Sequence, residues 1–155
     1  RLWSMQSRLA MRKIYIASDH AGYELKEALV PYIGTLGFEV EDLGPLTLVP
    51  EDDYPDYILP AATKIATDEG SMGIVIGGSG QGEAMAANRI RGVRTLVYYG
   101  GNLAIVGLGR EHNDANVLSL GARFLSEDEA KEAVALFLAT PFSADERHVR
   151  RLGKF

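Results

Sequence analysis

The chain has 155 residues, 46% hydrophobic and 24% charged, a composition that suits one globular domain with a substantial core and excludes a disordered or fibrous chain. With 16 basic and 21 acidic side chains the formal charge is -5, so there is no general electrostatic grip on nucleic acid, and no run approaches the ~20 apolar residues of a membrane span. Cysteine is absent, which removes disulfides, thiolate-bound zinc, iron–sulfur clusters and thiolate catalysis together.

Residues 1–10 carry no apolar signal-peptide stretch, and a start at Met11 leads at once into strand-like sequence. These ten residues are read as an extension outside a folded domain spanning 11–155. The missing export signal and missing cysteine point to the cytoplasm.

Residues 13–18 form a short apolar strand, and over 22–36 Leu25, Ala28, Leu29, Tyr32, Ile33 and Leu36 recur at helical spacing. Pro31 falls inside that helix, where a missing N–H favours a kink. Residues 38–43 read as a second strand, and the acidic, proline-rich stretch 44–55 as a loop too polar for the core. A helix follows over 56–68, with Ile58, Ala61, Ala62 and Ile65 on one face. The unbroken apolar run 72–76 reads as a buried strand ending in Gly77-Gly78-Ser79-Gly80-Gln81-Gly82, with Glu83 opening a helix to residue 90. Strands are expected at 95–99 and 117–120, separated by a helix around 102–108. Ser126 and Glu129 are spaced as a capping box before a helix ending at Ala139. Ser143 and Glu146 repeat the spacing before a last basic helix, with Thr140-Pro141 between the two.

Strands that alternate with helices and are apolar on both faces predict a five-stranded parallel sheet covered on each side, a three-layer α/β/α domain. Ligands of such sheets bind at the carboxyl ends of strands. Residues 18–22, 76–83, 99–102 and 120–123 are therefore the places to look.

Four of the six residues in 77–82 are glycine, so backbone N–H groups can line a concavity suited to an anion or a developing oxyanion. Its spelling fits neither the dinucleotide fingerprint, nor a P-loop, which needs a following lysine, nor a nucleophile elbow. A tight turn without a ligand is the plain alternative. Glu83 at its mouth has the placement of a helix cap. A carboxylate beside preorganised donors is also what removes a proton from carbon next to a carbonyl while the oxyanion is held.

The three histidines, His20, His112 and His148, are scattered, which argues against a metal site and suits proton transfer near neutral pH. Arg147 and Arg151 stand four apart on the last helix and share a face, a pair of forks matched to a phosphate dianion, with a solvated helix face as the alternative. Arg123, after the fifth strand, joins that clamp if the last helix folds back across a sheet end.

Taken together, Ser18-Asp19-His20-Ala21-Gly22, Asp53-Tyr54-Pro55, Gly77 to Glu83 with Ala86-Ala87-Asn88, Arg110 to Asn116, Gly121-Ala122-Arg123 and Arg147 to Arg151 closely resemble ribose-5-phosphate isomerase type B. That family also holds galactose-6-phosphate and allose-6-phosphate isomerases. The resemblance implies a Rossmann-like single domain that interconverts an aldose phosphate and its ketose through a cis-enediol, without cofactor or metal. One branch uses a cysteine as carbon base where this chain has Gly77; the other uses a glutamate six residues later, which matches Glu83. The resemblance further implies His112 as ring-opening acid, Asp19 and His20 on the sugar, and Tyr54 lining the pocket. Ser79 and the amides of Gly78, Gly80, Gln81 and Gly82 would hold the carbonyl end and enediolate, Asn113 a hydroxyl, and Arg123, Arg147 and Arg151 the phosphate. It also implies a homodimer or homotetramer with sites between subunits. Val149 removes a possible polar contact. The other functions weighed are isomerisation of a six-carbon aldose 6-phosphate and a non-catalytic sugar-phosphate sensor; a phosphate-ester hydrolase lacks a nucleophile or metal cluster.

Overall fold

The computed structural model describes residues 12–155, so the extension expected over 1–10 and the start at Met11 lie outside the described residues. Five strands, β1 (Lys13–Ser18), β2 (Glu39–Asp42), β3 (Met72–Gly77), β4 (Thr95–Tyr98) and β5 (Val117–Gly121), form one parallel sheet in the order β2-β1-β3-β5-β4. β1 pairs with β3 from Ile14↔Met72 to Ser18↔Ile76, and β3 with β5 from Gly73↔Val117 to Gly77↔Gly121. The chain moves outward from β1 to β2, then crosses back to β3. That reversal opens a crevice beyond the carboxyl ends of β1 and β3, where a parallel sheet binds its ligands.

Alternate strand residues serve opposite layers, as the period of two requires. Ile14, Ile16, Ile74, Ile76, Leu118 and Leu120 share a core with residues of α1 (Tyr23–Thr35), α4 (Ala104–Asn113) and α5 (Glu127–Ala139). Tyr15, Ala17, Val75 and Val117 pack with α2 (Pro55–Thr67) and α3 (Gln81–Ala87) on the other face. Each fully buried Ile, Leu or Val contributes about 1.5–3 kcal/mol of hydrophobic transfer, which is what makes this layering pay. The short α6 (Glu146–Leu152) packs on α4. Among the described residues no helix is long and apolar enough to cross a membrane.

The expected elements are all present, with instructive shifts at their ends. The helix expected over 102–108 continues to Asn113, closed by Asp114 in the left-handed region (φ 46°). Gly107 and Gly109 weaken its propensity, yet Gly109 brings the helix close to β4: a Cβ there would lie 2.5 Å from Leu96 Cδ2. His112 and Asn113 are thereby fixed on a helix. α3 starts at Gln81, two residues before the expected opening at Glu83. The Ser126–Glu129 capping box forms with both hydrogen bonds, whereas Ser143 and Glu146 form none. Ser143 Oγ instead accepts from Asp145 N–H at 3.3 Å, and the helix begins only at Glu146. Both α1 and α2 run through an internal proline, Pro31 and Pro60.

Candidate active site

β3 is buried throughout and turns into α3 by way of Gly78, Ser79 and Gly80. Gly80 has φ 79°, a conformation other residues resist, and a Cβ there would meet the Leu120 carbonyl carbon at 3.0 Å. The turn is held against the end of β5: Ser119 Oγ donates to Gly80 O (2.6 Å), Ala122 N to Gly77 O (2.8 Å) and Arg123 N to Gly78 O (3.0 Å). Sequence reading missed Ser119, whose only signal is a hydroxyl within an otherwise apolar strand.

Glu83 lies in the first turn of α3 and is 4% exposed. Its carboxylate lies so close over Gly77 that a Cβ on that residue would overlap it. Burial pushes the Glu83 carboxyl above the ordinary glutamate range; a hydrogen bond from its own N–H pulls it down, and the charge of Asp19 pushes it further up.

Asp19 follows β1 and accepts from Gly22 N–H (3.1 Å), turning the chain into α1. A Cβ on Gly22 would come within 2.6 Å of Ile76 O, so this turn and the end of β3 are in direct contact. His20 is tied to Asp52, whose Oδ1 accepts from the His20 N–H (3.1 Å) and contacts Nδ1 (2.8 Å). Asp19, His20 and Asp52 place ligand-type atoms within 4.8 Å of one another, and a hydrogen bond joins two of the three, His20 and Asp52. Asp52 was also missed, because the acidic run 51–53 singles out none of its members. The Tyr54 ring lies against Gly82, with its Oη 2.8 Å from where a Cβ would stand. The Arg123 guanidinium covers Gly78 at 3.1 Å by the same measure. Ser79 and Gln81 are exposed, and Ser79 Oγ accepts from Gln81 N–H at 3.3 Å. Asp19, His20, Tyr54, the glycine turn, Glu83 and Arg123 thus gather at the carboxyl ends of the strands.

The remaining expected residues gather elsewhere. α4 leaves the carboxyl end of β4 and runs back, so its last turn, with His112 and Asn113, sits by the amino ends of β3 and β5, where Gly73 N donates to Asn116 O (2.9 Å). His112 stacks on His148 of α6, ring centroids 4.4 Å apart at 17°. Ser143 N–H to Glu111 O (3.0 Å) and Arg110 Nε to Thr140 O (3.0 Å) fix the segment leading into α6. His148 is covered, its Nε2 has no hydrogen-bond partner among the described residues, and burial pushes its pKa below the usual histidine value, helped by His112 and Arg147. Arg147 and Arg151 are exposed beside it. Arg123 therefore does not meet Arg147 and Arg151 within one chain: the two groups stand at opposite ends of the sheet, roughly 15 Å of strand apart. The expected site residues thus fall into two groups, at opposite ends of the sheet.

A family model described as Ribose/Galactose Isomerase matches residues 14–155. Ribose-5-phosphate isomerase B of Mycobacterium tuberculosis is 41% identical over 140 residues, covering 90% of this chain and 85% of that protein. The Trypanosoma brucei type B ribose 5-phosphate isomerase structure superposes with a TM-score of 0.87 at 38% identity, covering 93% of this chain and 96% of that one. The Mycoplasma genitalium ribose-5-phosphate isomerase B structure with bound ribulose-5-phosphate also gives 0.87 at 38% identity, covering 92% of each chain.

Proposed function

Because this chain belongs to the ribose/galactose isomerase family, we propose that it interconverts ribose 5-phosphate and ribulose 5-phosphate through a cis-enediol. The observation that carries this reading is the Glu83 carboxyl, buried against the glycine turn with a raised pKa, as a carbon base near neutral pH should be. Glu83 takes the C2 proton of the open-chain aldose and returns it to C1, while the C1 oxygen gains a proton and the C2 hydroxyl gives one up, so that the carbonyl passes from C1 to C2 through the enediol. As the C2–H bond breaks, negative charge moves onto the C1 oxygen, where the turn amides and Ser79 receive it. Such donors are worth roughly 3–4 kcal/mol each. Asp19 and His20 contact sugar hydroxyls, and Tyr54 lines the pocket.

The steric fit of Glu83 over Gly77 separates the two branches of the resemblance. The carboxylate fills the space that a Cβ at position 77 would need, so a cysteine base and this glutamate pose exclude one another.

The half-sites at opposite ends of the sheet favour completion by a second copy. In an isologous homodimer, His112, Asn113, Arg147 and Arg151 of one chain face the glycine turn of the other, once on each side of the twofold axis. His112 then protonates the furanose ring oxygen as its bond to C1 breaks and the C1 hydroxyl releases its proton to become the carbonyl, and the two arginines join Arg123 on the phosphate. That remote grip holds C1 and C2 in register with Glu83. The cytoplasm is the compartment we assign to this chemistry.

Proton NMR of ribose 5-phosphate incubated with the protein in heavy water tests the reading. Appearance of ribulose 5-phosphate with washout of the C2 proton is expected. An unchanged spectrum, alongside turnover of allose or galactose 6-phosphate, would move the assignment to a six-carbon substrate. Inertness toward all three sugars would leave only the sensor.

A further inference from the structure

The chemistry above gives Asp52 no task, yet its environment is unusual. It lies in the loop between β2 and α2, its side chain 4% exposed. Oδ1 takes two hydrogen bonds and both come from one residue, the His20 N–H at 3.1 Å and His20 Nδ1 at 2.8 Å. Among the described residues, Oδ2 is buried without a partner. Leaving a buried carboxylate oxygen unpaired is costly, and a residue serving only to fasten the loop would gain more by satisfying both oxygens. Among the described residues, every hydrogen bond of this carboxylate goes to His20.

We propose that Asp52 is a positioning residue that fixes the ring orientation and tautomer of His20, presenting His20 Nε2 as a hydrogen-bond acceptor to a substrate hydroxyl. The inference rests on the reading of His20 as a sugar contact and adds which nitrogen makes that contact. An ionised carboxylate only accepts, so Nδ1 must carry the hydrogen, and the neutral ring keeps its lone pair on Nε2. Because one oxygen holds both the main chain and the ring of His20, rotation about the side chain is also blocked. The His20 side chain is 36% exposed. With Nδ1 tied down, its open part belongs to the crevice beyond β1 and β3. The carboxylates of Asp19 and Glu83 nearby are acceptors as well, so a hydroxyl that donates to Nε2 leaves its own oxygen free for the donors of the glycine turn.

Two-bond proton–nitrogen correlation spectra of the full chain report the tautomer directly. In its neutral form, His20 is expected to carry the hydrogen on Nδ1. Asp52→Asn should lose that uniformity, since an amide can donate to Nδ1 as well as accept from it. With ribose 5-phosphate, Asp52→Asn should lower kcat/KM roughly tenfold or more, the scale on which losing a histidine-orienting carboxylate acts elsewhere. Added to His20→Ala, the same substitution should change nothing further, whereas a loop fastener would act additively. A wild-type His20 in the Nε2–H form overturns the proposal, even if the asparagine variant fails to fold. An Asp52→Asn penalty of equal size with and without His20 overturns it too. His20→Ala with unchanged kinetics, beside a ring that is nonetheless Nδ1–H, locates the failure in the sugar-contact reading and removes the substrate half of the proposal with it.

Discussion

At the scale of single residues, Glu83 shows how a functional group reveals itself by its cost. Burial and the charge of Asp19 raise its pKa, so the folded protein resists ionising it. For an acid whose folded pKa exceeds the unfolded one, the stabilising effect is complete below the unfolded pKa and is lost as pH rises through the folded one. Glu83→Gln removes that penalty. We expect the variant to lose activity by roughly 100-fold to 10,000-fold, the span of general-base catalysis, while its thermal midpoint at neutral pH rises. The rise should fade as pH falls below the ordinary carboxylate range. Paired melting curves and kcat measurements check this; unchanged kcat, or a stability change indifferent to pH, would contradict it. Glu83, His112 and the arginines could be picked out in the sequence because they fall in the motifs that carry the family resemblance. Asp52 and Ser119 were not, since an aspartate in an acidic run and a serine in a strand acquire meaning only from what folds against them.

At the scale of elements, most boundaries followed from apolar periodicity, because each strand and helix buries a face the sequence displays. The exceptions have local causes. α4 outlasts its expected end because Gly109, poor in propensity, permits a close approach to Leu96. The second capping box fails because Asp145, not Ser143, precedes the first residue of α6. A pair that periodicity does not reveal joins α1 to β2. Lys26 is fully buried, its Nζ 2.6 Å from Asp42 Oδ2 and 2.8 Å from Glu27 Oε1. Asp42 also accepts from Gly44 N–H at 2.8 Å, securing the start of the loop that carries Asp52. Removing one partner of a buried pair leaves an uncompensated charge, so Asp42→Ala should destabilise by about 3 kcal/mol or more. Lys26→Met in that background should restore much of the loss. Urea unfolding midpoints of the two variants decide it: an Asp42→Ala protein as stable as wild type would show that Glu27 alone satisfies the lysine.

At the scale of the whole molecule, the sequence named most of the candidate site residues but not their division between the two ends of the sheet. Nothing in a linear string shows that β5 separates His112 from Arg123 by the length of a strand; that follows only once α4 is seen to run back to the strands' amino ends. The central claim, that catalysis uses Glu83 of one chain and His112 of another, is tested most directly by mixing two inactive variants, Glu83→Gln and His112→Ala, under conditions that exchange subunits. In a symmetric dimer each mixed pair carries one intact site, so equal amounts should recover roughly a quarter of wild-type activity. A mixture no more active than its two components would contradict the shared site.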